Sequence, residues 1–517
     1  MLSTPALCAC LVAVGATLLW ARFARLRASS STLRHLPLPP GPRTSWTGNV
    51  DIPQDYPWIT YHQWKDTYGD IVYINKFANP IVILNSMDAI RDLFEKRSGR
   101  YSSRPNRTMM QLCGFDWLFS SMLYGSQWKS HRHMFHRHFP SSGANDTYRP
   151  LQLRQTHVFL RSVLSHPESF YYQVRRTTTA IILDIIYGHE VAEQGDYYVS
   201  LADEALEAII HAGMFGTFLV DYLPWLQYVP RWFPGAAFKR RARQWKLKSQ
   251  EMVSYPYQML ASRLQEGIAV PCLVTQELDF QASEDTRGGE SEQVIKNVAA
   301  TTYAAGSDTT VSAMRSFFLA MALHPETQAK AQTELDGVCA GRLPLFSDRP
   351  ELPYIDHICY ELLRWQPVTP LGLARTVGED DEYRGYLIPK GTTIMPNVWG
   401  ILHDENRYPD PMAFKPERFE GKTKGDMGQN EIPEAAFGFG RRICPGRFLA
   451  FETLWIFVAS TLAVYDIRKA VDSNGHIIEP PLAYESTLIS HPLPFACDIR
   501  PRSDATAALI RQTADES

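Results

Sequence analysis

The sequence has little net charge and no arrangement of cysteines that suggests disulfide bonds. The 52 Lys and Arg residues nearly balance the 55 Asp and Glu residues, which gives a formal net charge of −3 over 517 residues. So small a charge provides no general electrostatic attraction to nucleic acid, and we expect no nucleic-acid partner. The eight cysteines show no pairing rhythm, and Cys8 and Cys10 lie in an apolar N-terminal run. This usage is typical of a reduced protein that faces the cytosol.

The sequence also has no internal repeat, no low-complexity block and no Gly-x-Gly-x-x-Gly motif between a predicted strand and a predicted helix. We therefore expect this chain to have no NADPH or flavin site of its own. Apolar residues make up 45% of the composition, which is ordinary for a globular protein with a large core. Because the clear linker lies near the N-terminus, we predict one large domain over residues 44–517.

The N-terminal residues 2–21 form an apolar run without charged side chains, long enough to span a membrane. A cleaved signal peptide carries its positive charge before the apolar run, whereas four arginines follow this one: Arg22, Arg25, Arg27 and Arg34. The positive-inside rule then keeps the following residues in the cytosol. We predict a transmembrane signal anchor over residues 2–21, with a cleaved signal as the alternative. Residues 22–43, basic and then proline-rich, predict an extended linker.

Most of the remaining chain has the periodicity of helices. One helix is predicted over Pro57–Tyr68, and alternating apolar residues predict two strands over Asp70–Ile74 and Ile81–Leu84. The residue pair Asn79–Pro80 is the predicted turn between these strands. Further strands are predicted over residues 371–395 and near the C-terminus. The pattern indicates a mainly α fold, rich in helices, with small β-sheets.

A single cysteine, Cys444, stands in a glycine-rich turn just before an apolar, helix-forming segment. A position near a helix N-terminus favours a thiolate, the form of cysteine that ligates a metal. Gly440 and Gly446 allow the backbone to turn sharply beside a flat ligand. Arg442 can bind an anionic group on that ligand, and Phe437 can pack against its edge. The alternative is a buried free cysteine in a loop. Under that alternative, the five informative positions within ten residues would be a coincidence.

The pattern Phe437-x-x-Gly440-x-Arg442-x-Cys444-x-Gly446 resembles the heme-binding signature of the cytochrome P450 family. The resemblance implies the P450 fold, with heme b (iron protoporphyrin IX) as the cofactor. It also implies that Cys444 is the axial ligand of the heme iron. A thiolate ligand donates electron density to the iron and favours cleavage of the O–O bond of dioxygen.

An apolar segment over Val294–Leu323 predicts one uninterrupted helix of about 45 Å, with polar residues in its middle. Gly306, Asp308 and Thr309 are poor choices for the interior of a buried helix, and such inconsistency often marks a functional site. Gly306 and Thr309 can open the helical hydrogen bonding and leave room for dioxygen and a water. Asp308 would connect to bulk protons, and the Thr309 hydroxyl would pass one on. A polar kink with a structural water is the alternative.

Residues elsewhere in the chain fit the same resemblance. Trp128 and Arg132 lie four positions apart on one predicted helix face. The resemblance assigns these two residues, together with Arg375, to the heme propionates. It also implies a buried structural triad under the heme, formed by Glu361, Arg364 and Arg418.

Two aromatic-rich segments, Met109–Tyr124 and Phe215–Phe238, fall where the family has substrate-recognition loops. Broken, proline-containing loops with apolar side chains often line ligand pockets. Their few charges indicate an apolar, mostly carbocyclic substrate, such as a terpenoid or an aromatic polyketide. The second segment could equally touch the membrane surface beside the anchor.

The resemblance implies an enzyme of the endoplasmic reticulum membrane that inserts one atom of O₂ into an apolar small molecule. The C-terminal half is similar to that of fungal members that modify secondary metabolites. Electrons would come from NADPH-cytochrome P450 reductase, which would dock on a basic face formed by Arg132, Arg137, Arg441 and Arg447. The alternatives are a heme-thiolate isomerase or dehydratase that acts without O₂, and a non-catalytic heme-binding protein. Asp308 and Thr309 argue against both, because neither needs a proton relay.

Overall fold

The computed structural model describes residues 32–43, 52–139, 144–214, 216–283, 291–421 and 434–515. The predicted membrane anchor, residues 2–21, lies outside the described residues. Within the described ranges one helix, Arg447–Val464, is long and apolar enough to cross a membrane. Most of that helix is buried inside the protein, as is usual for the core helix of a globular fold.

Helices dominate the described chain, which confirms the predicted mainly α class. The helices of the first half are α1 Pro57–Tyr68, α2 Met87–Ile90, α3 Thr108–Leu112, α4 Ser126–His138, α5 Arg149–Ser165, α6 Phe170–Tyr187, α7 Tyr197–Gly213, α8 Leu219–Tyr222 and α9 Ala237–Glu266. Those of the second half are α10 Leu273–Ser283, α11 Glu292–Gly306, α12 Thr309–Leu323, α13 Pro325–Cys339, α14 Pro353–Trp365, α15 Val398–Leu402, α16 Glu434–Phe437, α17 Arg447–Val464 and α18 Asp504–Gln512. Helix α1 has the bounds that the sequence predicts.

The strands of the described chain form one small sheet and two hairpins. They are β1 Ile71–Lys76, β2 Asn79–Leu84, β3 Arg375–Thr376, β4 Asp381–Tyr383, β5 Tyr386–Ile388, β6 Thr393–Pro396, β7 Tyr465–Lys469 and β8 Cys497–Pro501. The sheet has the order β1-β2-β6-β3, and only its β2–β6 pair is parallel. Strands β4 and β5 form one hairpin-like pair, and β7 and β8 form the other.

The turn between β1 and β2 is not where the sequence predicts it. Asn79 and Pro80 already belong to β2, and the chain reverses at Phe77 and Ala78 instead. These two residues have φ angles of 49° and 57°, and positive φ at both central positions suits the twist of a two-residue hairpin. Neither residue is the Gly, Asn or Asp that normally signals this turn, so the sequence gives no warning of it.

The core is built around α17, which is apolar on nearly all sides. It packs against α5, α12, α13 and α14, and its Trp455 and Phe457 are fully buried. A second apolar cluster joins α6, α7, α9 and α11. A third joins α1 to the four-stranded sheet. The two larger clusters flank the segments that carry the predicted site residues.

The proline-rich segment predicted to be part of a linker is packed against the domain. The carbonyl oxygen of Pro37 accepts a hydrogen bond from Leu387 N (2.8 Å), and that of Pro40 accepts one from Tyr73 N (2.8 Å). A Cβ atom added at Gly41 would lie 1.8 Å from the Tyr73 carbonyl oxygen, so only glycine permits this approach. The segment is extended, as proline predicts, but it is held at the edge of β1 and β5.

The prediction of one uninterrupted helix over Val294–Leu323 is wrong. The segment forms two helices, α11 and α12, which are separated by Ser307 and Asp308. The break falls at the polar residues that the sequence marks as unsuited to a helix interior.

Candidate active site

A cavity of about 350 Å³ lies between α4, α6, α7, α11, α12 and the turn that precedes α17. Its lining is mostly apolar and includes Phe119, Ile182, Leu206, Val368, Leu373 and Ile489. The glycine-rich turn at residues 437–446 borders the same space. The predicted motif residues and the predicted helix break therefore face one cavity, although more than 120 residues separate them in the chain.

Cys444 lines this cavity two positions before Gly446, which is the N-cap of α17. Its backbone N–H donates to the Phe437 carbonyl oxygen (2.7 Å), which closes the turn. Burial raises the pKa of the Cys444 thiol, and the Gly446 N–H and Arg132 offset this only in part. The position near the helix N-terminus therefore does not by itself account for a thiolate here. Coordination to a metal ion, which deprotonates a thiol outright, would supply what the helix does not.

Gly440 is the glycine on which the shape of this turn depends. Its φ is 51°, and a Cβ atom at this position would lie 2.2 Å from the Phe94 carbonyl oxygen. Any other residue would both strain the backbone and collide with the segment after α2. Phe437, seven residues before Cys444, lines the same cavity.

The predicted basic residues converge on the same cavity. Trp128, Arg132, Arg375 and Arg442 all line it, and the Arg442 guanidinium lies over the Trp128 ring at 4.3 Å. Arg132 donates to the Ile443 carbonyl oxygen at 2.8 Å. Burial lowers the pKa of Arg375 to about 9 and that of Arg132 and Arg442 to about 10. Neighbouring arginines lower these pKa values further, and Glu95 offsets the effect at Arg375 only in part.

Two of these arginines have donors that nothing satisfies. Arg375 donates to the Phe439 carbonyl oxygen, and Arg442 donates to the carbonyls of Ser102 and Met122, yet the Nη1 atom of each is buried without a partner. No Asp or Glu is among the described residues that line the cavity. Unpaired buried donors are costly, and two carboxylates placed here would satisfy them. The residues fit heme b, whose propionates are such carboxylates, with the Cys444 thiol as an iron ligand.

Arg104 is a further basic residue of the cavity that sequence reasoning missed. It is buried and donates to three carbonyl oxygens, those of Ser120, Leu373 and Ala374, at 2.6–2.8 Å. Burial lowers the pKa of Arg104, and the nearby Arg442 and Arg375 lower it further. It belongs to no motif, so no local pattern in the sequence could have marked it. Arg104 is the fifth residue of the group expected beside the propionates, after Trp128, Arg132, Arg375 and Arg442.

The break between α11 and α12 opens onto the cavity through Gly306 and Thr309. The Thr309 hydroxyl donates to the Ala305 carbonyl oxygen at 2.8 Å, in place of a regular helical amide. A Cβ atom at Gly306 would lie 2.5 Å from the Ile182 side chain, so glycine allows α11 to approach α6. The break thus presents the Thr309 hydroxyl to the cavity.

Asp308 lies in the same break but does not line the cavity. It is fully buried and accepts a hydrogen bond from Arg175 Nη1 at 2.5 Å. His491 Nε2 lies 3.2 Å from the same carboxylate oxygen, and Arg175 also donates to the Ser307 carbonyl. Arg175 Nε reaches Asp203, whose side chain is half exposed at the surface, at 2.8 Å. The contacts form a chain from solvent to the break.

These contacts change the role that the sequence suggests for Asp308. Burial alone would raise the pKa of Asp308, but Arg175 and His491 outweigh burial and hold the pKa well below its usual range. The ionised form of the carboxylate is therefore favoured, and in that form it accepts hydrogen bonds from its partners. Arg175 and His491 were missed because they are more than 100 residues away from Asp308 in sequence. An unpaired charged residue in an apolar segment was the available signal that partners exist.

The three residues of the predicted structural triad lie together in the core. Glu361 accepts two hydrogen bonds from Arg364, at 2.6 and 2.7 Å, and one from Arg418 Nε at 3.2 Å. The backbone N–H of Lys415 donates to the same carboxylate at 2.8 Å. The other donors of Arg364 bind the carbonyl oxygens of Leu402, which ends α15, and of Pro411 and Ala413 in the loop after it. The triad fastens that loop to α14.

The two aromatic segments have different positions. Of the first, Met110 and Phe119 line the cavity, whereas Phe115 is buried in the neighbouring apolar cluster. Phe215 lies outside the described residues, and none of residues 216–238 lines the cavity. Tyr228 and Trp232 are 79% and 63% exposed. The first segment fits a substrate-recognition loop, and the second presents aromatic side chains to the surroundings.

Comparisons with known proteins agree with this geometry. The family model for cytochrome P450 matches residues 38–494. The chain is 44% identical to cytochrome P450 monooxygenase 208 of Postia placenta over 92% of both chains. It is 41% identical to a cytochrome P450 monooxygenase of Armillaria gallica over 96% of both chains. A zebrafish cytochrome P450 structure with abiraterone, 21% identical, superposes with a TM-score of 0.69 over 86% of this chain and all of that one.

The fold and the cavity define a heme-thiolate oxidoreductase. The chain belongs to the cytochrome P450 family. It is a monooxygenase whose cofactor is heme b.

Proposed function

We propose that this P450 is a membrane-anchored monooxygenase of the endoplasmic reticulum with Cys444 as the axial heme ligand. It inserts one oxygen atom from O₂ into an apolar secondary metabolite, such as a terpenoid or an aromatic polyketide. An NADPH-dependent reductase supplies the electrons. One observation carries the proposal: Cys444, the unpaired donors of Arg375 and Arg442, and the Thr309 hydroxyl all face one apolar cavity.

The bound heme supplies the centre at which dioxygen is reduced and its O–O bond is broken. Trp128, Arg132, Arg375 and Arg442 would orient it by pairing with its propionates, and Arg104 would add a further positive charge. The unpaired Nη1 atoms of Arg375 and Arg442 support this role, because a carboxylate removes the cost of leaving them buried and unbonded. Phe437 and Gly440 shape the turn that presents the Cys444 sulfur to the cavity.

Thr309 is the residue that holds a proton at the reacting dioxygen. Its hydroxyl lies at the cavity surface and donates to the Ala305 carbonyl. A hydroxyl can accept a hydrogen bond at the same time, or rotate and donate to another acceptor. The ionised Asp308 behind it fixes the break through Arg175 and His491. The contacts from Asp203 to Asp308 pass through the Arg175 guanidinium, which does not release protons, so protons would reach Thr309 from water in the cavity. A hydroxyl at the surface of the cavity favours the monooxygenase over an isomerase or a non-catalytic heme protein, neither of which needs proton delivery.

The apolar lining excludes water from the reacting groups and favours a substrate with a large hydrocarbon surface. Phe119, Ile182 and Leu206 border the cavity from the side of α6 and α7, and Leu373 and Ile489 border it from the C-terminal half. Such a surface holds a substrate by burial, which stabilises binding by about 25 cal/mol per Å² removed from water. Burial of this kind suits a carbocyclic skeleton.

The reductase would dock on a smaller basic face than the sequence suggests. Arg132 lines the cavity, and Arg137 is neutralised by Glu277 at 2.6 Å, so neither is free for a partner. Lys129 and Arg441 are exposed and flank the ring of Tyr124. With Arg447 they support a docking site for an acidic redox partner, since charge complementarity steers such encounters.

Reconstitution with a reductase tests the proposal. The full-length protein and a fungal P450 reductase are placed in lipid vesicles with NADPH, and extracts of a terpenoid and polyketide panel are analysed by mass spectrometry. The proposal predicts products 16 mass units heavier than their substrates, labelled by ¹⁸O₂ and dependent on NADPH. Product without NADPH would indicate the isomerase, and heme binding without any turnover would indicate the non-catalytic protein.

A further inference from the structure

Arg107 is a partly buried cation in the lining of the cavity that the heme group does not explain. It precedes α3 and lines both the main cavity and a smaller one bordered by Trp58, Met214 and Met395. Cys444 lines only the main cavity. Arg107 therefore stands where the two cavities meet, and the smaller cavity does not include Cys444.

The guanidinium of Arg107 has donors without acceptors. Its Nε and Nη2 atoms are buried and make no hydrogen bond. Burial lowers the pKa of Arg107, but an arginine keeps its charge in a protein. A buried, unpaired charge is among the costliest arrangements in a fold. Such a group persists in a binding cavity when its partner arrives with the ligand.

The charge of the cavity supports a ligand partner. Five arginines line the cavity: Arg104, Arg107, Arg132, Arg375 and Arg442. No Asp or Glu of the described residues lines it. Heme b brings two propionates, and the Cys444 thiolate brings a third negative charge to the iron. Two propionates account for the unpaired Nη1 atoms of Arg375 and Arg442. The unpaired nitrogens of Arg107 remain.

Asp221 is the nearest acidic group, and it does not pair with Arg107. Each shifts the pKa of the other, yet no hydrogen bond or ion pair within 4 Å joins them. Asp221 Oδ1 accepts instead from the Met109 backbone N–H at 2.9 Å, and Asp221 Oδ2 is buried without a hydrogen bond. Burial raises the pKa of Asp221 to about 6. Its charge moderates the cost of the Arg107 cation without satisfying its donors.

We propose that Arg107 binds a carboxylate on the substrate, so that the substrate class is an apolar carbon skeleton bearing one carboxylic acid. A planar guanidinium pairs with a carboxylate through two parallel hydrogen bonds, and one carboxylate would satisfy both unpaired nitrogens of Arg107. The inference rests on the proposed function, in which this cavity holds the substrate. Because Arg107 also lines the smaller cavity, which Cys444 does not, the acid group would lie on the side of the main cavity that joins the smaller one.

Binding measurements on the purified full-length holoprotein test the inference. Isothermal titration calorimetry at pH 7.5 compares two acids with their methyl esters: 4-cyclohexylbenzoate and laurate. The variants are Arg107→Leu, Arg107→Lys and, as a control for charge alone, Arg243→Leu, whose side chain is exposed on α9. Charge-assisted hydrogen bonds predict that the wild type prefers each acid over its ester by about tenfold to a hundredfold.

Arg107→Leu should abolish this preference by weakening acid binding and leaving ester binding unchanged. Arg107→Lys should keep part of it, and Arg243→Leu should keep all of it. Equal affinity of the wild type for acid and ester, or an Arg107→Leu variant that retains the preference, would overturn the inference. Loss of NADPH-dependent turnover with the acid preference intact would refute the proposed monooxygenation only.

A stability measurement decides the matter even if neither probe binds. If Arg107 awaits a ligand, Arg107→Leu should raise the melting temperature of the substrate-free holoprotein, because it removes an unsatisfied buried charge. If Arg107 is instead the structural partner of Asp221, Arg107→Leu should lower the melting temperature, and a second change, Asp221→Asn, should restore it. That second result would overturn the inference.

Discussion

At the scale of single residues, Thr309 and Asp308 lie in the same helix break but have different surroundings. Thr309 faces the cavity, and Asp308 faces Arg175 and His491 in the protein interior. The contacts of Asp308 with Arg175 and His491 indicate that it holds the break in place. Changing Asp308 would leave Arg175 without its buried counter-ion and would disturb the fold as well as the chemistry. Thr309 offers the cleaner test.

Thr309→Ala should uncouple electron consumption from product formation. Heme binding and reduction do not need this hydroxyl, so NADPH would still be consumed, with hydrogen peroxide as the main product of O₂. Loss of a positioned proton donor is worth about a hundredfold in the step that it serves. The measurement is the ratio of product to NADPH consumed, with hydrogen peroxide quantified in parallel.

Thr309→Ser is the matched control, because it keeps the hydroxyl and should keep most of the coupling. A ratio that is the same in Thr309→Ala and in the wild type would show that the break is a structural kink with no part in proton delivery.

Glu361 shows what a buried charge contributes when its partners are complete. Glu361→Gln would leave Arg364 buried and without an anion, and we expect it to lower the free energy of unfolding by about 3–5 kcal/mol. Glu479→Gln is the control, because Glu479 pairs with Lys469 at the surface and exposed pairs contribute about 0–1 kcal/mol. Urea unfolding of the three proteins measures the difference. Equal midpoints for both variants would remove the structural role from the triad.

Residues within short motifs could be predicted from the sequence, and residues defined by distant contacts could not. The turn around Cys444 has five informative positions in ten residues, and each of them lies at or beside the cavity. Arg104, Arg107 and His491 reach the site from segments with no motif of their own. Their roles depend on which carbonyls and carboxylates surround them after folding, and no local spacing encodes that.

At the scale of elements, the sequence predicts the existence of helices and strands better than their ends. Gly69 ends α1 where it is expected, with its N–H bonded to the Lys65 carbonyl. The β1–β2 turn was misplaced because Phe77 and Ala78 adopt positive φ without the usual turn residues. The residues unsuited to a helix interior indicated the position of the break between α11 and α12, but not that Arg175 would bind the freed Ser307 carbonyl.

The proline-rich segment gives an element-scale prediction. Removal of residues 1–34 and removal of residues 1–42 should both release the protein from membranes, at least partly, if residues 2–21 are the anchor. Only the longer deletion removes the Pro37 and Pro40 carbonyls that bind Leu387 and Tyr73. We therefore expect it to lower the free energy of unfolding by about 1–3 kcal/mol relative to the shorter deletion.

Membrane sedimentation and urea unfolding of the two truncated proteins check this expectation. Equal stability of the two would mean that the segment is only a spacer. Membrane attachment that survives both deletions would point to the exposed aromatic residues Tyr228 and Trp232 as a second contact.

At the scale of the whole molecule, the acid side of the stability profile is set partly by His403. The ring is 2% exposed, stacks on Trp399 at 4.0 Å between centroids and donates from Nδ1 to the Trp399 carbonyl. Burial, with a contribution from Arg364, lowers the pKa of His403 to about 3. The unfolded chain, with a histidine pKa near 6.5, binds more protons than the folded chain between about pH 6.5 and pH 3. In that window stability falls as the pH falls.

His403 should contribute a slope of about 1.4 kcal/mol per pH unit over that range, because one proton is bound on unfolding. His403→Gln should reduce the slope of unfolding free energy against pH by that amount. His476→Gln, at an exposed position, should leave the slope unchanged. An unchanged slope in His403→Gln would show that His403 is protonated in the folded protein.

The proposed function depends on Cys444 as the ligand of the heme iron. The roles proposed for the arginines, the helix break and the reductase all require a heme bound at this position. The most direct measurement is the absorption spectrum of the reduced protein with carbon monoxide, for the wild type and for Cys444→Ser. The account predicts the red-shifted Soret band of a thiolate-ligated heme in the wild type and its loss, together with monooxygenase activity, in Cys444→Ser. A variant that keeps the red-shifted band would contradict the assignment of Cys444 and the proposed function built on it.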